Sequence, residues 1–227
     1  MSMFICFDMN GVLIDDEKLH HISFQKALEK FYPKIVLTYS SYKDIFFGKT
    51  DFEGLQQFFK YYNICADKDI IPVIQQEKSR QYAYNLDNTS EKNKKELIIS
   101  ECLELIKQLK SLGHYCALVT GSAEREVKKV LAIMPLDSQA FNIILTKESY
   151  EKSKPHPEPY LTACKALAKD PADALVIEDS PSGVSSAIAA GCQCIAITTT
   201  HNKEELKHAT WVTQLCDLKP LVFSILS

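Results

Sequence analysis

A carboxylate at position 8 is the first residue of this sequence with a type and place suited to covalent chemistry. Asp8 follows a short apolar segment and is followed, two residues on, by Asn10. A carboxylate at a strand end can attack phosphorus and form an aspartyl-phosphate. Side chains two positions apart in a strand project to the same side, so Asn10 shares the region of Asp8. Taken alone, Asp-x-Asn-Gly is also typical of a simple turn.

A second acidic cluster follows another apolar segment. Glu178 and Asp179 come directly after Ala174–Ile177. Two acids after a buried strand cost free energy unless a cation balances them. Oxygen ligands of this kind favour Mg²⁺. The alternative interpretation is a solvated acidic turn.

Two further segments carry groups that bind anions. Thr120, Gly121 and Ser122 follow an apolar segment and precede a helical pattern. A hydroxyl and free backbone N–H groups at a helix start form an anion site, although a plain helix cap has the same residues. Lys154 lies in a loop that alternating prolines stiffen, where an ammonium group can offset negative charge. An exposed loop lysine is the alternative there, and neighbouring His156 is interpreted as a surface residue.

The elements that must position these groups follow from the apolar pattern. Five short, nearly continuous apolar segments predict strands covered on both faces, and helical patterns separate the later ones. This alternation predicts an α/β fold with a doubly wound parallel sheet. The predicted strands are Met3–Phe7, Tyr115–Val119, Ile143–Leu145, Ala174–Ile177 and Cys194–Ile197, and the later helices are Glu124–Ile133, Pro159–Ala168 and Ser182–Ala190.

The interval between the first two strands predicts a second, all-helical domain. About a hundred residues separate Asp8 from Tyr115, whereas an ordinary crossover takes roughly 10–30 residues. We expect a core domain at 1–15 and 96–227 and a helical domain at 16–95, connected by Gly11–Asp16 and the polar segment Asn85–Lys95. The predicted helices there are His20–Phe31, Ser41–Phe47, Gly54–Asn63 and Ile71–Tyr84, with Glu96–Ser111 leading back to the core.

Composition excludes several classes of protein. The 227 residues include 46% hydrophobic and 24% charged side chains and carry a formal net charge of −3. Without a basic run, neither nucleic-acid nor acidic-membrane binding is expected. No apolar segment is long enough to cross a bilayer, and the start does not have the pattern of a signal peptide. Eight scattered cysteines favour reduced thiols and a cytoplasmic protein. We expect a monomer or weak homodimer.

Together the four polar clusters resemble, in order and spacing, the four motifs of the haloacid dehalogenase superfamily. The helical insertion resembles the C1-type cap of its β-phosphoglucomutase-like phosphatases. The resemblance spans Phe4 to about Leu221 and includes Ala189-Ala190-Gly191 and Thr198-Thr199-Thr200-His201. It implies a Rossmann-like core with a helical cap, and a Mg²⁺-dependent phosphatase that acts on a small phosphorylated metabolite such as a sugar phosphate.

The resemblance also implies a role for each matching residue. Asp8 matches the nucleophile, and Lys154 matches the lysine between nucleophile and phosphate. Thr120 matches the hydroxyl that binds the transferring phosphate, beside the N–H groups of Gly121 and Ser122. The implied metal ligands are Asp8, Asp179, the backbone carbonyl of Asn10 and, through water, Glu178.

Asn10 departs from the family pattern. Phosphatases that resemble this chain carry at this position an aspartate that protonates the leaving group and later activates water, and an amide does neither. Loss of a general acid/base costs about 10²–10⁴-fold in rate. Three explanations stay open: an engineered Asp-to-Asn change, a natural slow or inactive relative that binds a phosphorylated ligand, or chemistry without a second carboxylate. A 2-haloacid dehalogenase exemplifies the last, and Glu178 and Asp179 count against it.

The segment Phe46–Asp51 resembles the substrate-specificity loop of the family cap. In β-phosphoglucomutase an arginine near this point binds the second phosphate of the substrate. Here Asp51, or Lys49 in a shifted register, takes that place, which favours a hydrolase of monophosphates over a phosphotransferase. Lys49 is a candidate substrate contact or a solvated side chain. His20 and Arg80 are candidates to line the cap, but the favoured interpretation of each is a surface or packing residue.

Overall fold

The strands of this protein form one parallel sheet. The structure is a computed structural model that describes residues 4–67, 69–137 and 139–226. Within these residues the sheet has six strands in the order β3-β2-β1-β4-β5-β6, and every pairing is parallel. The strands are β1 Phe4–Phe7, β2 Tyr115–Val119, β3 Ile143–Leu145, β4 Ala174–Glu178, β5 Gln193–Ile197 and β6 Trp211–Thr213.

In the described part of the chain, five helices follow β1 before a sixth leads into β2, and the next three helices alternate with strands. The first six are α1 Glu17–Glu29, α2 Tyr39–Phe46, α3 Asp51–Tyr61, α4 Ile70–Asp87, α5 Glu91–Leu97 and α6 Ser100–Ser111. The rest are α7 Glu124–Ile133, α8 Glu158–Ala166, α9 Pro181–Ala189 and α10 Leu215–Leu226. Among the described helices, none combines the length and apolar character that crossing a membrane takes.

Both faces of the sheet are covered, which explains the continuous apolar strands. Alternate residues of β1, such as Ile5 and Phe7, pack with α6, α7 and α10 on one face. The intervening Phe4 and Cys6 pack with α8 and α9 on the other face. Because side chains alternate between faces, a strand covered on both sides is apolar at every position. The predicted doubly wound parallel sheet is confirmed.

The helical unit has its own apolar core, rich in aromatic side chains. Phe24, Phe46 and Phe58 pack there, with the rings of Phe24 and Phe46 4.1 Å apart between centroids. Thr50 caps α3 by accepting a hydrogen bond from the N–H of Glu53, whose carboxylate accepts one from the Thr50 N–H in return. Such a capping box satisfies two backbone donors that a helix start leaves unpaired. The predicted helical cap is thus a separately packed layer.

Several predicted boundaries differ from the structure. Asn85–Lys95, predicted as a polar connection, is mostly helical, because α4 continues to Asp87 and Ser90 caps α5. The helix predicted to start at Glu96 begins only at Ser100. The last strand β6 and helix α10 were not predicted, since β6 has three residues and lacks a long apolar segment. Met3, the predicted start of β1, lies outside the described residues.

The two chain crossings between the sheet and the helical unit run side by side. Asp15 N–H donates to the Leu97 carbonyl at 2.7 Å, and Ile99 N–H donates to the Leu13 carbonyl at 3.0 Å. Ile14 and Ile98 form an antiparallel bridge between them. This pairing takes up Ile98 and Ile99, so the helix that was predicted over Glu96–Ser111 starts only after them. The domain boundaries at 15/16 and 95/96 stay a prediction.

The helical unit should depend on its aromatic core. We expect Phe58→Ala to lower the free energy of unfolding by about 3–5 kcal/mol, because Phe58 is fully buried and its truncation leaves a cavity. The matched control is Phe52→Ala on the same helix, where the side chain is 47% exposed. This change should stay within about 0.5 kcal/mol. Urea denaturation of both variants checks the prediction, and equal losses would contradict it.

Candidate active site

The predicted site residues meet at the carboxyl edge of the sheet. Asp8 directly follows β1, and Thr120 directly follows β2. Glu178 is the last residue of β4, and Asp179 comes next in the chain. Lys154 comes from the loop between β3 and α8. Because β1 lies between β2 and β4, the three strand ends are neighbours at the switch point of the sheet, where ligands bind in such folds.

Lys154 connects the two acidic clusters. Its ammonium group donates to Asp8 Oδ1 at 2.6 Å, to Glu178 Oε1 at 2.7 Å and to the Val119 carbonyl at 2.9 Å. Burial lowers the pKa of Lys154, but the charges of Asp8 and Glu178 outweigh this effect and hold it above its ordinary value. Lys154 is therefore a charged, fully engaged side chain and not the exposed loop lysine of the alternative interpretation.

Both carboxylate oxygens of Glu178 accept hydrogen bonds from the protein. One carboxylate oxygen accepts from Lys154 and from the Tyr160 hydroxyl at 2.8 Å. The other accepts from the N–H groups of Asp179 and Ser180 at the start of α9. A Cβ at Gly183 would overlap this carboxylate, so glycine is needed there. Burial raises the pKa of Glu178, but Lys154 and these hydrogen bonds bring it below its ordinary value.

Asp8, Glu178 and Asp179 have the properties of a divalent cation site. One carboxylate oxygen from each lies within 4.8 Å of the others. Burial and the Glu178 charge raise the pKa of Asp8 to about 7, with Lys154 opposing them. Burial, then the charges of Glu178 and Asp8, raise the pKa of Asp179 well above its ordinary value. The single ammonium group of Lys154 therefore does not balance the three carboxylates. Their oxygen atoms form a ligand set that fits Mg²⁺.

The loop after β1 brings its backbone against Asp179. Gly11 has a φ of +74°, and a Cβ there would overlap the Asp179 carboxylate. Thr200, which follows β5, donates its hydroxyl hydrogen bond to that carboxylate. Thr199 donates to the Gly11 carbonyl at 2.5 Å. The segment at positions 8–11 is therefore fixed against Asp179. This proximity is needed if Asp8 and Asp179 are to bind the same cation.

The hydroxyl groups after β2 line the other side of Asp8. Thr120 is almost fully buried, and its hydroxyl oxygen accepts from the Ser122 N–H at 3.1 Å. Tyr150 donates to the Thr120 carbonyl at 2.7 Å and fixes this turn. Thr120, Gly121 and Ser122 all line one cavity together with Asp8 and Lys154. The predicted anion-binding segment therefore opens towards the candidate nucleophile.

Asn10 is bound by side chains that sequence reasoning did not connect with it. Its amide nitrogen donates to Asp16 Oδ1 at 2.9 Å and Oδ2 at 3.0 Å, and lies 3.1 Å from His20 Nε2. Its amide oxygen accepts from the Ser122 hydroxyl at 2.8 Å. The buried Asp16 also accepts from the Tyr82 hydroxyl. His20 is buried and lines the cavity, so of the alternatives given for it only the surface position is wrong.

The cavity has a volume of about 620 Å³ and extends from Asp8 to the helical unit. At its far end Lys78, almost fully buried, lies 3.1 Å from Asp51 Oδ2 and 3.3 Å from Glu126 Oε1. Glu17 accepts from the Tyr42 hydroxyl at 2.7 Å in the same region. The ammonium group at this end is thus already paired with two carboxylates.

The other residues considered in the sequence differ in exposure and in whether they line the cavity. Lys49 is exposed and lines the cavity. Arg80 is exposed and pairs with Glu77 at 2.8 Å, and His156 is exposed in its loop. Asp16, Tyr82 and Lys78 were missed, because isolated polar residues in helical patterns carry no sign of a shared cavity. Thr200 was noticed only as part of the resemblance.

Comparison with known proteins decides the family. The chain matches haloacid dehalogenase-like hydrolases over residues 5–197, which is most of its length. The chain belongs to the haloacid dehalogenase-like hydrolase family. The predicted resemblance to this superfamily is confirmed.

Curated haloacid dehalogenase-like relatives include named phosphatases. Validoxylamine A 7'-phosphate phosphatase from Streptomyces hygroscopicus subsp. limoneus is 33% identical over 111 residues, 49% of this chain and 52% of that protein. The chain thus spans only about half the length of this relative. Pyrophosphatase PpaX from Bacillus cereus (strain AH820) is 26% identical over 229 residues, 96% of this chain and 95% of the relative.

Solved haloacid dehalogenase-like structures share the whole fold. β-Phosphoglucomutase from Clostridium difficile has a TM-score of 0.83 at 22% identity and covers 99% of this chain and 96% of its own. A variant of CbbY from Rhodobacter sphaeroides, in complex with xylulose-(1,5)bisphosphate, has the same TM-score and identity, and the match covers 96% of each chain. At this identity the likeness shows the fold, a parallel-sheet core with a helical cap.

The charge balance around Lys154 can be tested without any substrate. We expect Lys154→Met to lower the free energy of unfolding by about 3–5 kcal/mol at pH 8 without divalent cations, because buried Asp8 and Glu178 lose their counter-charge. The loss should shrink below pH 7, since Asp8, with a pKa of about 7, becomes neutral there. Urea denaturation at several pH values measures this effect.

The control is Lys152→Met, at an exposed position of the same loop, and it should stay within about 0.5 kcal/mol. A loss for Lys154→Met that equals that of the control, or one that grows as the pH falls, would contradict the charge balance.

Proposed function

We propose that this protein is a Mg²⁺-dependent phosphatase that hydrolyses a small phosphorylated metabolite through an aspartyl-phosphate on Asp8. The observation that carries the proposal is the position of Asp8. Its carboxylate lies against the Lys154 ammonium group and beside Asp179, and it lines a cavity with Thr120 and Ser122. A nucleophile, a cationic group and anion-binding hydroxyls thus surround one space.

Asp8 and Asp179 would hold the metal ion, with the backbone carbonyl of Asn10 and, through water, Glu178. Glu178 suits the indirect role, because both of its oxygens already accept protein hydrogen bonds. When bound, Mg²⁺ supplies charge neutralisation for a phosphoryl group. The raised pKa values of Asp8 and Asp179 support this assignment, since a cation would relieve the repulsion that contributes to them.

The chain's own residues account for binding and attack. Thr120 and the N–H groups of Gly121 and Ser122 bind phosphate oxygens at the end of β2. Lys154 orients the Asp8 carboxylate and balances the charge that gathers when a phosphate approaches it. One Asp8 oxygen then attacks phosphorus, the bond to the leaving oxygen breaks, and that oxygen takes the electron pair and a proton from water. A water molecule next attacks the aspartyl-phosphate, the bond between phosphorus and Asp8 breaks, and inorganic phosphate leaves. Asn10 neither donates nor accepts the proton of these steps, so turnover is slow.

The substrate is proposed to be a monophosphate, with a sugar phosphate as the first choice. A cavity of about 620 Å³ suits a small metabolite. Lys78 at its far end is neutralised by Asp51 and Glu126, so this ammonium group is not free to bind a second phosphate. Exposed Lys49 is a candidate substrate contact. Relatives named as phosphatases of phosphoglycolate and of validoxylamine A 7'-phosphate support this class of reaction.

A second candidate is a protein that binds a phosphorylated ligand without turnover. The observation that favours it is the amide of Asn10, which is saturated by Asp16 and Ser122. This pattern of donors and acceptors suits an amide better than a second carboxylate next to Asp16. Binding of metal and phosphate needs no proton transfer and would remain.

We further propose that the protein works in the cytoplasm as a monomer or weak homodimer. All eight cysteines are free thiols, and six of them are buried. Reduced, buried thiols are typical of proteins from reducing compartments.

Phosphate release from a panel of phosphorylated metabolites tests the proposal. With Mg²⁺ we expect slow release from at least one monophosphate, and none after chelation. Asn10→Asp should raise the turnover number by about 10²-fold or more, because a carboxylate at position 10 restores proton transfer. Asp8→Asn is the control and should abolish release in both backgrounds.

Strong activation by Asn10→Asp would support a slowed enzyme. If neither the unchanged chain nor Asn10→Asp releases phosphate from any compound of the panel, but both still bind phosphate, the phosphatase proposal is contradicted and the binding protein is favoured. Halide release from 2-haloacids without metal would point to a dehalogenase instead.

A further inference from the structure

Glu17, the first residue of α1, carries a carboxylate that lines the cavity from the side of the helical unit. Its oxygen Oε2 accepts from the Tyr42 hydroxyl at 2.7 Å, and no hydrogen bond or ion pair of the described residues reaches Oε1. Every buried side-chain oxygen in the described part of the chain has a hydrogen-bond partner. Oε1 is therefore not buried, and the space that it meets is the cavity that Glu17 lines.

Tyr42 holds this carboxylate in one position. The Tyr42 side chain is buried, and its ring stacks on Phe46 with centroids 5.6 Å apart. Glu17 also stands in the first turn of α1, where the helix dipole favours negative charge. A carboxylate fixed in this way loses little freedom when it binds a ligand.

Glu17 differs from the other carboxylates at this end of the cavity, because it has no close counter-charge. Asp51 and Glu126 both pair with Lys78, whereas Glu17 forms no ion pair among the described residues. Burial raises the pKa of Glu17, and the nearby positive charges and the Tyr42 hydrogen bond lower it only in part. This carboxylate therefore lacks hydrogen-bond donors that a ligand can supply.

The chemistry of Glu17 indicates which group of a ligand would meet it. An ionised carboxylate only accepts hydrogen bonds, so the ligand must donate. An ammonium group of a ligand would be repelled by Lys78, whose charge already acts on Glu17. A hydroxyl group donates without adding charge. In the proposed reaction the phosphate lies at Asp8, so the hydroxyl belongs to the leaving group.

We propose that Glu17 is a specificity-determining residue, which favours phosphate esters whose leaving group carries hydroxyl groups, and that Tyr42 is its positioning residue. The inference rests on the proposed phosphatase function and deepens it, because it assigns the choice of a sugar phosphate to named side chains.

Binding measurements separate this recognition from catalysis. Isothermal titration calorimetry with Mg²⁺ gives the Kd of a panel of tetrose, pentose and hexose monophosphates and of cyclohexylmethyl phosphate. The last compound has the ring and the phosphate-bearing carbon of a hexose 6-phosphate but no hydroxyl groups. We expect the unchanged chain to bind at least one sugar phosphate about tenfold more tightly than cyclohexylmethyl phosphate, as expected for a hydrogen bond to a charged group.

The readout for each variant is the ratio of these two Kd values. Removing a carboxylate also lessens the repulsion of the phosphate, but this effect acts on both ligands alike and leaves the ratio unchanged. Glu17→Ala should weaken binding of the sugar phosphate about tenfold relative to cyclohexylmethyl phosphate. Tyr42→Phe keeps the ring and should shift the ratio in the same direction.

Asp15→Ala is the matched control. Asp15 is an exposed carboxylate two positions before Glu17 and is not among the described residues that line the cavity. This change removes the same charge and should leave the ratio unchanged. Circular dichroism establishes that each variant is folded, and Glu17→Gln, with an expected shift of at least about threefold, serves if Glu17→Ala is not.

The outcomes separate the inference from the proposed function. A ratio that shifts for the Glu17 and Tyr42 variants, but not for Asp15→Ala, would support recognition by Glu17. An unchanged ratio for the Glu17 variants, or cyclohexylmethyl phosphate bound as tightly as every sugar phosphate, would overturn the inference, while phosphate release from the panel still supports the phosphatase. A shifted ratio without phosphate release would support recognition by Glu17 and contradict the phosphatase.

Glucosamine 6-phosphate distinguishes a hydroxyl group from an ammonium group. If it binds more tightly than glucose 6-phosphate and loses this advantage in Glu17→Ala, the proposed choice of hydroxyl groups is overturned. Weaker or equal binding would support it.

Discussion

The ion pairs of Lys154 with Asp8 and Glu178 are the interaction on which the rest of the site depends. Three carboxylates converge where β1 and β4 end, and burial makes their mutual repulsion costly. One ammonium group reduces the charge without cancelling it. The remaining negative charge is what makes the site suitable for a divalent cation. The Lys154 ammonium group also fixes the Asp8 carboxylate, which lines the cavity.

The residues around the Asp179 and Glu178 carboxylates also serve to accommodate and orient these charges. Gly11 and Gly183 leave room for the Asp179 and Glu178 carboxylates, where a Cβ would overlap them. Thr200, which follows β5, fixes Asp179, and Tyr160 of α8 fixes Glu178. Each contact comes from a different element of the sheet fold. The parallel sheet is thus the framework that allows residues more than a hundred positions apart to share charge.

Much of this architecture follows from the sequence in physical terms. Continuous apolar segments predicted β2 and β3 with correct bounds. For β2 the reason is that a strand covered on both faces is apolar throughout. The segment Asn85–Lys95 was predicted wrongly, since lysine and glutamate suit exposed helices as well as loops. Asp16 and Tyr82 could not be connected with Asn10, because their meeting depends on how α4 packs against α1. Motif spacing predicts groups at strand ends, but not contacts between helices.

The most direct test of the central claim is a crystal structure of the protein grown with Mg²⁺ and inorganic phosphate. The account predicts one ion bound to both Asp8 and Asp179 at about 2.0–2.1 Å. It also predicts that Lys154 keeps its contact with Asp8 and that phosphate lies against Thr120. An ion bound elsewhere, or Asp8 and Asp179 too far apart to share one, would contradict it.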